Sequence, residues 1–455
     1  MPSNSIWLLE NKQEFKPLEG GEKAGVCIVG GGLSGLTTAY YLAKDGVDVV
    51  VLEAKTVGRG ASGHNSAHLT CQHDYIYSRL AKYHSFETAK AHAKANNGAI
   101  LSIKKIIDDE HIDCDFAFVN SYMFTNQKEK AYIIEEESRL ASRLGIEAEI
   151  QHSGNFIFPY AAAARYKNQA IFHPVKYVNG LAKAIVKYGG RIYENSRVLN
   201  LEKGRVKTDK GTVTAPITVI ATHFPLINFP GMFFARSYQS RSYCIALNNV
   251  PNLHGMWHSI ETEGKSYRMY KDLMIIAYGE QKTGTNLKTH YYKELDAFVK
   301  KHFTPSKIEY NWSAQDVITC DELPYIGHYS GGSDSLYAAT GFRKWGLSQS
   351  NVAGQVISDL ITGRKNDYAP YASPQRRLNL VGFLNLLAIN LSVAGHYAQG
   401  LVSKDPKCSH MKCGLKFNED ECSWDCPCHG SRFETDGTVI ETPAIHDVKM
   451  DDYNT

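Results

Sequence analysis

The 455-residue sequence has little net charge, 50 Lys and Arg against 47 Asp and Glu leaving +3. So mild a balance supplies no broad cationic field for nucleic acid or an anionic membrane, and the charged runs Asp108 to Glu110 and Glu135 to Glu137 are scattered like solvated helix faces. A basic-then-apolar leader is also missing: Glu10, Lys12, Glu14 and Lys16 precede any long apolar run, which makes the cytoplasm the expected compartment. The longest apolar stretch, Leu378 to Val393, is interrupted by Asn379, Asn385 and Asn390 and falls short of the ~20 apolar residues that cross a bilayer. It reads as a packed amphipathic helix, with no membrane span expected. Repeats and low-complexity tracts are absent. With 43% hydrophobic residues, a chain of this length builds two or three packed domains.

What is present begins with Val26 to Val29, then Gly30-Gly31-Gly32-Leu33-Ser34-Gly35, a helical run to Lys44, and Val49 to Leu52 followed by Glu53. This is strand, turn, helix and second strand. Gly30 suits the tight turn, Gly32 a close approach of a pyrophosphate, and Gly35 close packing of helix on strand. The anion would sit on the helix N-terminus beside Leu33 and Ser34, with Glu53 and Ala54 at the ribose. Further α/β material follows: a helix around Val178 to Tyr188, strands at Val198 to Leu201 and Thr218 to Ala221, and a strand-to-helix passage from Leu336 to Leu360. The alternating segments Phe233 to Leu247 and Tyr267 to Tyr278 read as antiparallel strands.

The segment Gly58-Arg59-Gly60-Ala61-Ser62-Gly63-His64-Asn65 resembles the flavin-approaching motif of the D-amino-acid oxidase and glycine oxidase family. The late run Ala339 to Leu347 is similar to that family's closing flavin contact, which implies FAD against Gly341, Lys344, Gly346 and Leu347, with Val198 at the adenine and Ala221-Thr222 beside the cofactor. A helix N-terminus or Lys344 there would stabilise anionic reduced flavin. Monomeric sarcosine oxidase relatives tether FAD through a cysteine at the position that aligns with Ala314, so non-covalent FAD is expected; Cys320 nearby reads as a small buried residue. The resemblance spans roughly Ser5 to Arg364.

Five of the ten cysteines, Cys408, Cys413, Cys422, Cys426 and Cys428, crowd into one short segment, as metal or redox chemistry requires in a reducing compartment. Cys408-Ser409-His410 and Cys426-Pro427-Cys428-His429 offer two thiolates and two imidazoles, a donor set open to zinc or to a 2Fe-2S cluster. The run Trp424 to Phe433, WDCPCHGSRF, closely resembles Rieske proteins of the cytochrome type, and Thr442-Pro443-Ala444 resembles their proline loop. That resemblance implies Cys408, His410, Cys426 and His429 as cluster ligands and a Cys413–Cys428 disulfide. Phe433 stands where respiratory members have a tyrosine, Lys412 replaces a loop glycine, and Ser431, a usual sulfur donor, is kept.

The combination resembles bacterial FAD-dependent oxidoreductases with C-terminal Rieske domains, whose recurrent segments His173 to Tyr177, Arg241 to Tyr243 and Asp321 to Gly327 match in kind. The expected architecture is therefore α/β. A Rossmann-like FAD-binding domain comprises residues 1–100, 170–225 and 325–365, interleaved with an α+β substrate-covering domain of 101–169 and 226–324. A helical linker at 366–404 leads to a small, shortened β Rieske segment at 405–455. The expected activity is oxidation of an amine or amino-acid-like small molecule by hydride transfer to flavin, the electrons leaving singly through the cluster to a protein partner. Arg241, Tyr243 and Lys344 are the candidate catalytic residues on the substrate side, together with His258, Arg268 and Tyr270, arginine being suited to a carboxylate. The competing expectation is an electron carrier between protein partners with no organic substrate. An aromatic-ring oxygenase is disfavoured, since it needs a second, mononuclear iron on two histidines and a carboxylate, and His111 near Asp108 is only a surface imitation of that set.

Overall fold

The computed structural model describes residues 5–450 apart from 12, 263 and 286, so the outermost parts of the first and last expected segments lie outside it. A six-stranded sheet runs in the order Tyr325–His328, Leu336–Thr340, Ile217–Ile220, Val26–Val29, Val49–Leu52, Arg191–Tyr193, parallel except for Tyr325–His328. The strands Val26–Val29 and Val49–Leu52 are apolar at every position because both faces are covered. Val26, Ile28, Val49 and Val51 pack with the helices Leu33–Lys44, Pro174–Lys187 and Gly346–Ile361. Their neighbours Cys27, Val29, Val50 and Leu52 pack instead with Val198, Val206 and Val213 of a small four-stranded sheet.

The second layer is a nine-stranded, mostly antiparallel sheet, and its long pair Ser237–Leu247 and Ile308–Thr319 positions both halves of the molecule. Directly paired residues share a face. Arg241 pairs with Gln315 and Tyr243 with Ser313, on one face; Ser240 pairs with Asp316 and Ser242 with Ala314, on the other.

Two expected strands are interrupted. Phe233 to Leu247 opens with a short helix, Phe233–Arg236, folded back as the Arg236 guanidinium donates to the Gly231 and Pro374 carbonyls. Tyr267 to Tyr278 is a hairpin of Lys265–Tyr270 and Leu273–Lys282, turning at Lys271-Asp272 with Lys271 at φ 51°.

The long helix Leu380–Val402 lies against Phe233–Arg236 and the Ser237–Leu247 strand. A four-stranded sheet follows, Lys416–Asn418, Ser423–Asp425, Arg432–Phe433 and Val439–Glu441, around a core of Leu415, Phe433, Val439 and Ala444. This unit packs on the Arg241 face of the large sheet.

Candidate functional site: a dinucleotide cradle and a cysteine-histidine centre

In the glycine turn, Gly30 has φ 112°, and a Cβ there would lie 2.4 Å from the Ala221 carbonyl oxygen. A Cβ on Gly35 would come within 1.9 Å of the Gly30 carbonyl oxygen, so helix and strand meet only because neither residue has a side chain. Gly32 caps the helix without a side-chain bond, and the Leu33 amide donates to Ser62 Oγ at 2.9 Å. Ser34 Oγ is buried there without a hydrogen-bond partner, an orphan that a phosphate oxygen would satisfy. Glu53 accepts from the Gly31 and Lys55 amides, both at 2.8 Å, and burial holds its carboxyl above the usual range. Each of its oxygens keeps a lone pair for a ribose hydroxyl. Ala54 and Gly60 are exposed at the rim, Ala61 and Ser62 form a short 3-10 turn, and Val198 is buried at the start of its strand. These residues fit FAD.

The closing run brings Gly341 at φ 80°, Arg343 and Lys344, also left-handed, and the helix that begins with Gly346 and Leu347. Lys344 Nζ lies 3.1 Å from Glu280, and its backbone amide donates to Asp316, opposite the face that carries Arg241. Trp345 stacks on His73 at 5.0 Å and meets the His258 ring edge-on at 5.6 Å. His258 Nε2 contacts the Asp74 carboxylate; burial alone would raise that carboxyl, but His258 holds it well below its usual range. His73 continues inward through His92 Nε2 at 3.3 Å to the Tyr368 hydroxyl, 2.9 Å from His92 Nδ1, and burial pushes His73 down to about 3, so the chain of rings is neutral. Asp74 and His73 escaped the sequence reading; the one local sign is the run Gln72-His73-Asp74 soon after the flavin motif.

Arg241 and Tyr243 require correction, because the structure takes both away from the substrate side. Arg241 is fully buried, with Nη1 3.1 Å from Asp425 and Nη2 donating to Gln315 at 3.1 Å. Tyr243 stacks on Tyr291 at 4.6 Å, and its hydroxyl accepts from Gln281 at 2.8 Å and from Asn418 at 3.4 Å. Strand parity is the reason: both point to the face that the C-terminal unit covers. Arg268 is likewise buried and donates to the Ala67 carbonyl, and Tyr270 donates to Asp115 at 3.1 Å.

The C-terminal unit brings Cys408, His410, Cys426 and His429 together. The two thiols are hydrogen-bonded to each other, which holds Cys408 below the usual thiol range and pushes Cys426 above it. The imidazoles stand 5.1 Å apart at 88°, and Nδ1 of each is buried without a partner. Burial pushes His410 down to about 4 and His429 to about 3, so both are neutral, as ligands must be. His410 Nε2 lies 2.7 Å from Asn228 Oδ1, to which it donates when Nδ1 carries the lone pair for a metal. Although the sulfurs of Cys413 and Cys428 lie within 4.8 Å of Cys426 Sγ, those two cysteines are joined to each other and offer no thiolate. The Ser431 hydroxyl bonds the Cys408 thiol, and Lys412, where a glycine was expected, adopts φ 60°. Two sulfurs and two orphaned ring nitrogens fit a 2Fe-2S cluster with mixed ligands.

The two centres share a wall. Gln239 Nε2 donates to the carbonyls of His429 and Thr442, both at 2.9 Å, and Gln315 Nε2 to that of Gly430 at 2.8 Å. Thr442 in turn donates to the Thr222 carbonyl, at the end of a cradle strand, at 3.1 Å.

Comparison with known proteins finds a match for each region. Residues 25–360 match the FAD dependent oxidoreductase family, and residues 385–451 match the Rieske [2Fe-2S] domain. The chain is 32% identical to the "Putative Rieske 2Fe-2S iron-sulfur protein YhfW" of Bacillus subtilis, over 96% of this chain and 95% of that one. It is 26% identical to the gamma-glutamylputrescine oxidoreductase of Escherichia coli, over 76% and 86% of the two chains. The crystal structure of glycine oxidase from Geobacillus kaustophilus superposes with a TM-score of 0.65 at 19% identity, covering 79% of this chain and 100% of that one, a likeness of fold. A glycine cradle that fits FAD, four C-terminal ligands that fit a 2Fe-2S cluster, and matches across both regions lead to one conclusion: the chain belongs to the FAD dependent oxidoreductase family and ends in a Rieske domain.

Proposed function

We propose that this enzyme oxidises a carbon–hydrogen bond beside an amine in an amine or amino-acid-like substrate, and that the electrons leave one at a time through the Rieske centre to a protein acceptor. Bound FAD supplies two-electron chemistry and the cluster one-electron chemistry. The amine class is supported by the gamma-glutamylputrescine oxidoreductase likeness. It is also supported by the groups around the closing loop. Asp74 with His258 and Glu280 with Lys344 place two carboxylates, each already paired with a base, near Trp345. The carboxylates of such pairs can hold a cationic amine by charge-assisted hydrogen bonds.

The observation that carries the electron route is the shared wall: Gln239 joins the His429 and Thr442 loops, and Thr442 reaches the Thr222 carbonyl in the cradle. One chain holding both centres keeps each at high effective concentration for the other. The test is an anaerobic panel of amines and amino acids. A true substrate bleaches the flavin, and a Rieske-type EPR signal then grows with a first-order rate independent of protein concentration. Flavin bleaching with no cluster reduction would refute the route, and no bleaching by any amine or amino acid would refute the substrate class.

A further inference from the structure

The helix Leu380–Val402 has its amphipathicity reversed. Three of its polar side chains bond to the protein: Asn385 donates to the Cys320 carbonyl at 2.9 Å, Asn390 to the Ala235 carbonyl at 2.8 Å, and Ser392 accepts from Lys282 at 2.8 Å. Its apolar side chains face out. Leu380, Leu384, Leu387, Leu391, Leu401 and Val402 recur at helical spacing, and Leu391 is 74% and Val402 88% exposed. A surface helix in water shows the opposite pattern, and a continuous apolar stripe of this kind marks a contact surface.

Charge selects the occupant. The 23 residues of the helix include no Asp, Glu, Lys or Arg. Exposed cations flank it, Arg377 just before and Lys404 just after, and Lys412 joins the second end through the approach of Gly400 to Gly414. The nearby acid Asp405 is paired with Lys416 at 2.6 Å. An apolar stripe collared by cations complements an anionic bilayer surface, where the leucines enter the acyl boundary and the cations meet phosphate.

The helix cannot cross the bilayer while the fold is intact. A Cβ on Gly382 would lie 2.9 Å from Asp321 Cβ, and one on Gly400 would lie 2.6 Å from the Gly414 amide nitrogen. These two close approaches pin the helix to the protein at points about 27 Å apart along its axis. We infer that the Leu380–Val402 face is a monotopic docking surface that holds the enzyme flat on an anionic lipid bilayer, with the Rieske loops at its edge. The exposed Met411 and Lys412 belong to the first cluster loop, and Phe234, on the short helix packed against Leu380–Val402, meets the His429 ring at 5.6 Å.

The experiment uses the full-length protein loaded with both cofactors and vesicles of phosphatidylglycerol with phosphatidylethanolamine, compared with pure phosphatidylcholine, in a sedimentation assay. Binding to the anionic vesicles is expected, at least roughly tenfold stronger than to the neutral ones, with high salt weakening it without abolishing it. The double variant Leu384→Gln, Leu391→Gln, both at exposed positions, is expected to lose roughly tenfold or more of that binding while its flavin spectrum and Rieske EPR signal stay unchanged. Arg377→Gln with Lys404→Gln is expected to remove the preference for anionic lipid and leave the residual binding. Wild-type protein that stays in the supernatant with every vesicle overturns the inference, whether it is monomeric or forms a dimer that the leucine variant dissolves. Vesicle binding unaffected by the leucine variant overturns it as well.

Discussion

Asp425 carries the contact between the two modules, and its loss is the sharpest test of the interface. Its carboxylate lies 3.1 Å from Arg241 Nη1 and 3.4 Å from Arg432 Nε, and it accepts from Asn418 at 3.0 Å and Ser423 at 2.9 Å. Arg432 has other counter-charges, Glu421 at 3.2 Å and Glu441 at 3.5 Å; Arg241 is otherwise met by Gln315. Asp425→Asn keeps the shape but strands the Arg241 guanidinium in a fully buried site, at a cost of about 3–5 kcal/mol. Arg241→Met leaves Asp425 paired with Arg432 and bonded to two neutral donors, at a cost of about 1–2 kcal/mol. With the guanidinium gone, adding Asp425→Asn to Arg241→Met costs little more. The double variant is therefore expected to be less destabilised than Asp425→Asn alone, with a coupling of about 3–4 kcal/mol. Urea, which does not screen charge, is the denaturant of choice, with the flavin absorbance and the cluster's visible circular dichroism followed separately. An Asp425→Asn protein within 1 kcal/mol of wild type, or strictly additive variants, would refute the buried-pair argument.

Gly35→Ala drives a methyl against the Gly30 carbonyl, so it is expected to purify with less than about a tenth of the wild-type FAD, measured by absorbance. Acid precipitation of wild type is expected to release yellow flavin into the supernatant; colour retained in the pellet would contradict the assignment of Ala314 as a position without a tether. His429→Ala is expected to abolish the Rieske EPR signal while the flavin spectrum persists, and unit zinc in protein made with ample iron would count against the cluster. Burial pushes Glu137 up to about 7 from 4.5, so between those values the unfolded chain ionises first and native stability falls as pH rises. The loss amounts to about 3 kcal/mol and is complete above pH 7. Glu137→Gln is expected to remove that slope, gaining on wild type between pH 5 and pH 8 in denaturant titrations, and parallel pH profiles would speak against it.

Features carried by local chemistry were legible in the sequence. The turn Gly30 to Gly35 is bounded by strand and helix within 15 residues on either side, and the cluster ligands sit in two short loops, each supplying one cysteine and one histidine, that the fold sets side by side. What escaped depends on which way a strand faces and what lies behind it. Arg241 looks like a substrate arginine in sequence, yet its partner is 184 residues away and its orientation follows from pairing with Gln315. The helix at Leu380–Val402 was expected to be packed and amphipathic; its asparagines do bond to protein, with the carbonyls of Cys320 and Ala235 beneath it accepting from their amides, but the leucines face outward. The Lys271 turn was invisible because lysine is not a usual residue at positive φ.

The strand Ser237–Leu247 is one stretch of sequence under two independent sets of constraints. Around its middle, odd-numbered residues Gln239, Arg241 and Tyr243 answer to the Rieske unit, while Ser240 and Ser242 answer to the opposite side, with Asp316 and Ala314. A relative that lost the C-terminal unit would have every second residue here released to drift toward ordinary surface character, while the alternate residues stayed fixed. Domain loss in this lineage should therefore leave a period-two scar along a single strand, readable in a chain that no longer carries a cluster at all.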